Sequence, residues 1–167
     1  MITKVKIKFI SHIDGSVSDT PTEHAIPVVP LTVWPSSSKD INVYKPNGLK
    51  AGAYALIDTG ADLCYVDSDF ADDLKLPIAE KTTVSGATST IETTVRHAVI
   101  SFTEDERVFS TELTSVPLVS NGRKFQVVFG MQLIKMGALT MDFSNQVFEL
   151  TFFNYPPRDT SLFCKTG

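Results

Sequence analysis

Short runs in which apolar and polar residues alternate recur along the chain, bounded by Gly, Pro, Asn or Ser: KVKIKFI, IPVVPLTVW, AYALID, TIETTVRHAVISF, VFSTELTSVPLV, KFQVVFG and QVFELTFF. A period of two sends successive side chains to opposite faces of a pleated strand, so the pattern predicts a mainly β protein. The SNG of residues 120–122, between VPLV and KFQVVF, predicts a hairpin, because Asn-Gly tolerates the positive φ of a tight turn. Only two stretches carry helix signals. DSDFADDLKLP offers Ser68 as a cap, acids in the first turn and Pro77 as a stop, while MQLIKMG is a short amphipathic stretch closed by Gly137. The segment from about Pro35 to Gly52, with its serines and KPNG, is expected to be a surface loop, and NYPPRDTSLFCKTG after Phe153 a mobile tail.

Composition narrows the class. A chain of 167 residues is expected to form one domain, burying about 70% of the surface its unfolded form exposes. Cys64 and Cys164 are far apart in the chain and fit no disulfide or metal framework, which points to a reducing compartment and a cytoplasmic location. MITKVKIKFISHI lacks the continuous apolar run of a signal peptide, and no stretch is long and apolar enough for a membrane span. A net charge of −4 and a pI near 5.3, with aromatics not interleaved with Lys or Arg, argue against nucleic acid as a partner.

The chemistry concentrates at AYALIDTGADLCYV, residues 53–66, where Asp58 stands between a strand-like run and a glycine turn. A carboxylate beside Ala55, Leu56 and Ile57 calls for a structural or a chemical reason. The structural one is an Asx-type turn, in which Asp caps its own backbone. The chemical one gains weight from a second apolar-apolar-Gly turn about seventy residues on, VVFGMQLI, ahead of a short helix.

In ALIDTGA followed by VVFGMQLIKMGALTMDF the chain resembles the retropepsin family, the retroviral-type aspartic proteases; the likeness spans roughly Ala25 to Phe152. Between the two motifs TTVSGATSTIETTV lies where that family places its flap hairpin. The resemblance implies an all-β, closed barrel-like acid-protease domain over 25–153, with a flap and one or two short helices. Around it stand an N-terminal extension, 1–24, with a possible strand, and a tail, 154–167.

It also implies an aspartic endopeptidase acting on an extended polypeptide, without metal or other cofactor. Hydrolysis by water needs a base and an acid at once, and two carboxyl groups about 3 Å apart supply both by sharing one proton; aspartic proteases are the standing example of that rule. The chain has a single Asp-Thr-Gly and no Asp-Ser-Gly, so the second Asp58 has to come from a second copy about a two-fold axis. By resemblance Thr59 holds the paired loops across that axis and Gly60 admits the substrate backbone. Ala61 and Asp62 line the cleft, the flap tip of Val84, Ser85, Gly86 and Ala87 closes over it with Gly86 as the flexible turn, and Val128 walls a subsite.

Three departures from the family pattern stand out. Met131 and Gln132 follow Gly130 where retroviral members usually place the Arg that pairs with the acid at the Asp62 position. The flap VSGATST has one glycine, and both chain ends are long. They motivate an alternative, the same fold used as a catalytically weak or inactive peptide-binding or dimerisation module.

Other features have ordinary explanations. Asp67, Asp69, Asp72 and Asp73 lack the glycine and closing glutamate of a calcium loop and suit a helix start. His12, His24 and His97 have no ligand-like spacing, and Cys64 is expected to be a small buried hydrophobe. An aspartyl-phosphate route lacks the Lys after Asp58 and any Gly-rich phosphate loop.

Overall fold

A computed structural model describes residues 2–36, 49–102 and 108–153. Twelve strands, β1 (Thr3–Lys6), β2 (Lys8–Ser11), β3 (Val17–Ser18), β4 (Ala25–Pro35), β5 (Ala51–Ile57), β6 (Tyr65–Asp67), β7 (Ile78–Ser85), β8 (Thr90–Phe102), β9 (Val108–Val116), β10 (Val127–Phe129), β11 (Gly137–Asp142) and β12 (Val147–Phe152), are joined by two short helices, α1 (Ser68–Asp73) and α2 (Met131–Ile134). The expected all-β retropepsin-like architecture is present. Most of the loop expected between Pro35 and Gly52, and the whole tail 154–167, lie outside the described residues.

The large sheet runs β3-β2-β4-β5-β10-β6-β9-β8-β7, and β4 also pairs with β8. Hydrogen-bonded pairing therefore returns on itself through β4, β5, β10, β6, β9 and β8. Only β5–β10 and β6–β9 in this circuit are parallel. Strand β4 makes the closure possible: residues 25–28 pair with β2 and residues 31–35 with β8 along one edge, while β5 takes the other edge. Pro30 falls at the handover between β2 and β8, a place where a missing N–H does least harm.

A smaller sheet, β1-β12-β11, covers the circuit. Phe152 from β12 stacks on Phe102 of β8 with ring centroids 5.4 Å apart, and Phe102 meets Phe129 of β10 edge-on at 6.0 Å. Such aromatic pairs contribute about 0.5–1.5 kcal/mol each beyond their area. The described part of the N-terminal segment, residues 2–24, takes part as well: Val5, Ile7 and Phe9 are buried in the same core, and Phe9 packs on Phe148 at 5.0 Å. Among the described residues no helix is long and apolar enough to cross a membrane.

Three local expectations are corrected. Asn121-Gly122 makes no hairpin: Val119–Asn121 is one 3-10 turn with Gly122 at φ 86°, and β6 lies between β9 and β10. The same left-handed glycine that suits a tight hairpin also ends a helical turn. The cap of α1 is Asp67, not Ser68, because the Asp67 carboxylate accepts the Phe70 N–H at 3.1 Å. Its other oxygen accepts from Leu118 and Val119, each at 2.9 Å, so this buried side chain also pins the 3-10 turn. Gly137 does not close α2, whose C-cap is Lys135, but opens β11, where a Cβ would run into the Thr151 carbonyl.

Candidate active site

Asp58 leaves the end of β5 with its backbone still in the sheet, its N–H donating to the Phe129 carbonyl at 3.0 Å. The turn that follows is tight: Ala61 N–H donates to the Asp58 carbonyl at 3.2 Å, and Gly60 N–H to Asp58 Oδ1 at 2.9 Å. The Asx-type turn that offers an ordinary explanation of Asp58 is thus real. It occupies one carboxylate oxygen and leaves the half-buried side chain at a surface where Thr59 and Gly60 are exposed.

The second motif is built onto the first. The opening N–H groups of a helix have no partner within it, and those of α2 find theirs in the Asp58 loop. Met131 N–H donates to the Ala61 carbonyl at 2.7 Å, Gln132 N–H to the Asp62 carbonyl at 2.9 Å, and Gln132 Oε1 accepts from Cys64 N–H at 3.2 Å. Gly130 makes this approach possible, because a Cβ there would stand 2.5 Å from the Ala61 carbonyl oxygen and nearer still to that of Leu63. The buried Cys64 thiol is pushed up to about 11 by burial, partly offset by the N–H groups of Gly130 and Leu133.

Register places the side chains around the loop. Val29, Ala55, Val127, Val66 and Ser115 are neighbours across five strands and form a fully covered row on the core side. One residue along, Val28, Leu56, Val128, Tyr65 and Thr114 form the row on the opposite face, with Leu56 and Tyr65 only half-buried. Alternation carries Asp58 to the Leu56 face. Val128 accordingly lies on the carboxylate's side of the sheet.

Tyr65, beside Val128, is the residue that sequence reasoning missed. Burial first, and then the charges of Asp62, Cys64 and Asp58, raise its phenol above the usual tyrosine range. Its signal was the alternation in CYV, which puts Tyr65 opposite the buried Cys64 and Val66.

Asp62 is exposed, and among the described residues no Lys, Arg or His side chain pairs with it. Met131, at the position where retroviral members usually carry the pairing Arg, is exposed.

The hairpin expected as the flap is formed by β7 and β8, with Ser85 opposite Thr90 and Gly86 N–H donating to the Ser89 carbonyl at 2.8 Å. Val84 is half-buried, and Ser85, Gly86 and Ala87 are exposed. Gly86 does not have positive φ, and a Cβ there would meet only the Ser89 carbonyl at 3.7 Å, so the turn does not require glycine. Among the described residues no hydrogen bond or ion pair joins Val84–Ala87 to residues 58–62. The structure therefore joins Asp58–Asp62 to Phe129–Gln132 through hydrogen bonds, and the hairpin tip takes no part in that network among the described residues.

The model of the aspartyl protease family matches residues 44–133, more than half of the chain and the span that holds both turns. No curated protein sequence matches the chain. Among solved structures the chain is similar to a retropepsin-like aspartic protease from Rickettsia conorii, with TM-score 0.50 and 10% identity over 91% of this chain and 93% of that one. At that identity the likeness concerns the fold alone.

Proposed function

This chain belongs to the aspartyl protease family, and from that premise we propose that it is a homodimeric aspartic endopeptidase of the retropepsin type, cutting extended polypeptides. One observation carries the reading: Asp58 is presented by a turn clamped to Phe129–Gln132 through backbone hydrogen bonds, with its carboxylate left at an exposed surface. A second copy facing this surface sets two Asp58 side chains together, and two adjacent carboxyl groups share one proton and titrate as a pair.

The ionised member takes a proton from water as it attacks the peptide carbonyl. The protonated member gives its proton to the carbonyl oxygen; as the tetrahedral intermediate collapses, the member that took the water proton passes it to the leaving nitrogen, and the other takes back the hydroxyl proton, which restores the starting pair. Thr59, exposed in the single chain, sits where it can meet its counterpart, while Gly60, Ala61 and Asp62 present backbone groups to an extended peptide. Val128, with Leu56 and Tyr65 beside it, forms the wall for apolar substrate side chains, and Val84–Ala87 closes from the other side.

The test is cleavage of an unstructured protein by the wild-type chain and by Asp58→Asn, from about pH 3 to 8, a range that starts in the acid region where such dyads titrate. Asparagine keeps the acceptor for Gly60 N–H but can neither take nor give the catalytic proton. We expect cleavage to fall at least about a thousandfold; undiminished cleavage by the variant defeats the reading.

A second reading rests on Asp62, which lacks an ion-pair partner among the described residues, and on Met131. On that reading the cleft binds peptides and leaves them whole. Mass spectrometry of an incubated peptide separates the two, since one product fragment absent from the Asp58→Asn control removes the binding-module reading.

A further inference from the structure

Beyond Val95, toward the tip of the hairpin, β8 loses its neighbours. Its ladder with β9 runs from Val95 to Ser101 and its ladder with β4 from Ala98 to Phe102, so the backbone of residues 90–94 pairs with β7 alone. Strand β7 is itself the edge of the sheet. Residues 80–94 are thus a two-stranded ribbon, and such a ribbon has little stability or fixed direction by itself. Where its tip stands is decided at its root.

Two side chains hold that root. On the β9 side Thr93 Oγ1 donates to the Ser115 carbonyl at 2.7 Å. On the other side the Arg96 guanidinium serves three partners: Nε donates to Thr94 Oγ1 at 2.9 Å, Nη1 to the Leu76 carbonyl at 2.9 Å, and Nη2 to Asp72 Oδ1 at 2.6 Å. The Arg96 side chain is only 13% exposed, although its Asp72 partner is 64% exposed. The β7 register breaks at this level, between Ile78 and Glu80, with Ala79 left out of the ladder. A bulge lets a strand bend, so the fork sits where the ribbon has most freedom to swing.

The far end of the fork leads back to the carboxylate. Asp72 lies in α1 and Leu76 just beyond it; α1 is capped by Asp67, the last residue of β6, and β6 begins three residues after Asp62. We propose that Arg96 is the positioning residue of the flap: its three-way fork fixes the ribbon of residues 80–94 to α1 and thereby sets where Val84–Ala87 stands over a bound peptide. The assignment rests on the hairpin acting as a flap, as in the function proposed above. A lysine could reach Asp72 but lacks the planar fork needed for the Leu76 carbonyl and Thr94 together.

Hydrogen exchange read by mass spectrometry on the full chain tests the anchor without calling on activity. In Arg96→Ala the amides of residues 80–94 should exchange roughly tenfold faster, with those of β5 and β10 unchanged; Arg96→Lys should fall between it and wild type. Asp72→Asn keeps an acceptor for Nη2 but removes the charge that strengthens this arm at an exposed partner, and should give a smaller change in the same place, which keeps the test available should Arg96→Ala fail to fold. In peptide cleavage, Arg96→Ala should raise KM roughly fivefold with kcat changed less than about twofold. Unchanged exchange in the ribbon overturns the proposal, as does acceleration spread equally over β5 and β10, which would make Arg96 a general stabiliser. A wild-type chain that cuts no peptide, with the selective exchange result intact, defeats the peptidase reading and supports the anchor.

Discussion

Gly130 and Ala61 are 69 positions apart in the chain, yet a Cβ on Gly130 would stand 2.5 Å from the Ala61 carbonyl oxygen, and Met131 N–H donates to that same oxygen at 2.7 Å. The glycine is there for want of room rather than for a left-handed backbone, because its φ is −88°. The obstructing atoms are backbone carbonyls, which cannot rotate aside as a flexible side chain would. Gly130→Ala should therefore destabilise the fold by about 3 kcal/mol, as severe overpacking does. Urea denaturation checks it; a loss under about 1 kcal/mol would mean that the two turns are not locked together.

The proposed dyad makes a prediction about stoichiometry. If each site uses Asp58 from two chains, an equal mixture of wild type and Asp58→Asn, allowed to exchange subunits, should retain about a quarter of the activity of the same total of wild type; independent monomers would retain about half. Activity per chain should also fall on dilution below the dimer's dissociation constant. A linear mixing curve excludes the shared site.

Asp67 is 2% exposed and its two oxygens accept three backbone N–H groups, from Phe70, Leu118 and Val119. Alanine here strips a helix cap and leaves buried donors unpaired, at a cost of about 3 kcal/mol. Asn keeps one acceptor oxygen and should cost roughly half as much. The comparison of the two melting curves is the check, and equal effects from both variants would contradict the capping geometry.

Burial raises the Cys64 thiol from 9.0 to about 11. Between those values the unfolded chain releases this proton and the folded chain keeps it, so the unfolded state binds fewer protons and stability falls as pH rises. The loss attributable to Cys64 should approach about 1.4 kcal/mol per pH unit across that window and vanish below it. Wild type and Cys64→Ala, unfolded in urea at pH 8 to 11, should converge toward high pH; parallel stability curves would show that the thiol titrates alike in both states.

Several elements could be read directly from local pattern. The strand AYALI, the strand TIETTVRHAVISF and the apolar Val127–Phe129 run declare themselves by alternation or short apolar length, while the β7–β8 hairpin is legible only through the family resemblance. Local signals failed where one residue type serves two geometries. Asn121-Gly122 fits a hairpin and the end of a 3-10 turn equally, and the separation of β9 from β10 by β6 decided between them. Asp67 and Ser68 are both good caps, and the carboxylate won because it also reaches Leu118 and Val119, about fifty residues away.

By itself the sequence determined the candidate site residue and the kind of scaffold: one Asp-Thr-Gly after an apolar strand, a second apolar-apolar-Gly turn, and β alternation between them, all properties of near neighbours along the chain. Tertiary structure alone decided the circuit of pairings that brings Gly130 onto the Asp58 loop, the place of Tyr65 beside Val128, and the fork of Arg96 at the hairpin root. Each of these joins residues distant in the chain through backbone groups that every residue carries, or through side chains with several possible partners. Side-chain pattern along one strand says which face a residue takes; which strand lies beside it is settled only when the whole sheet closes.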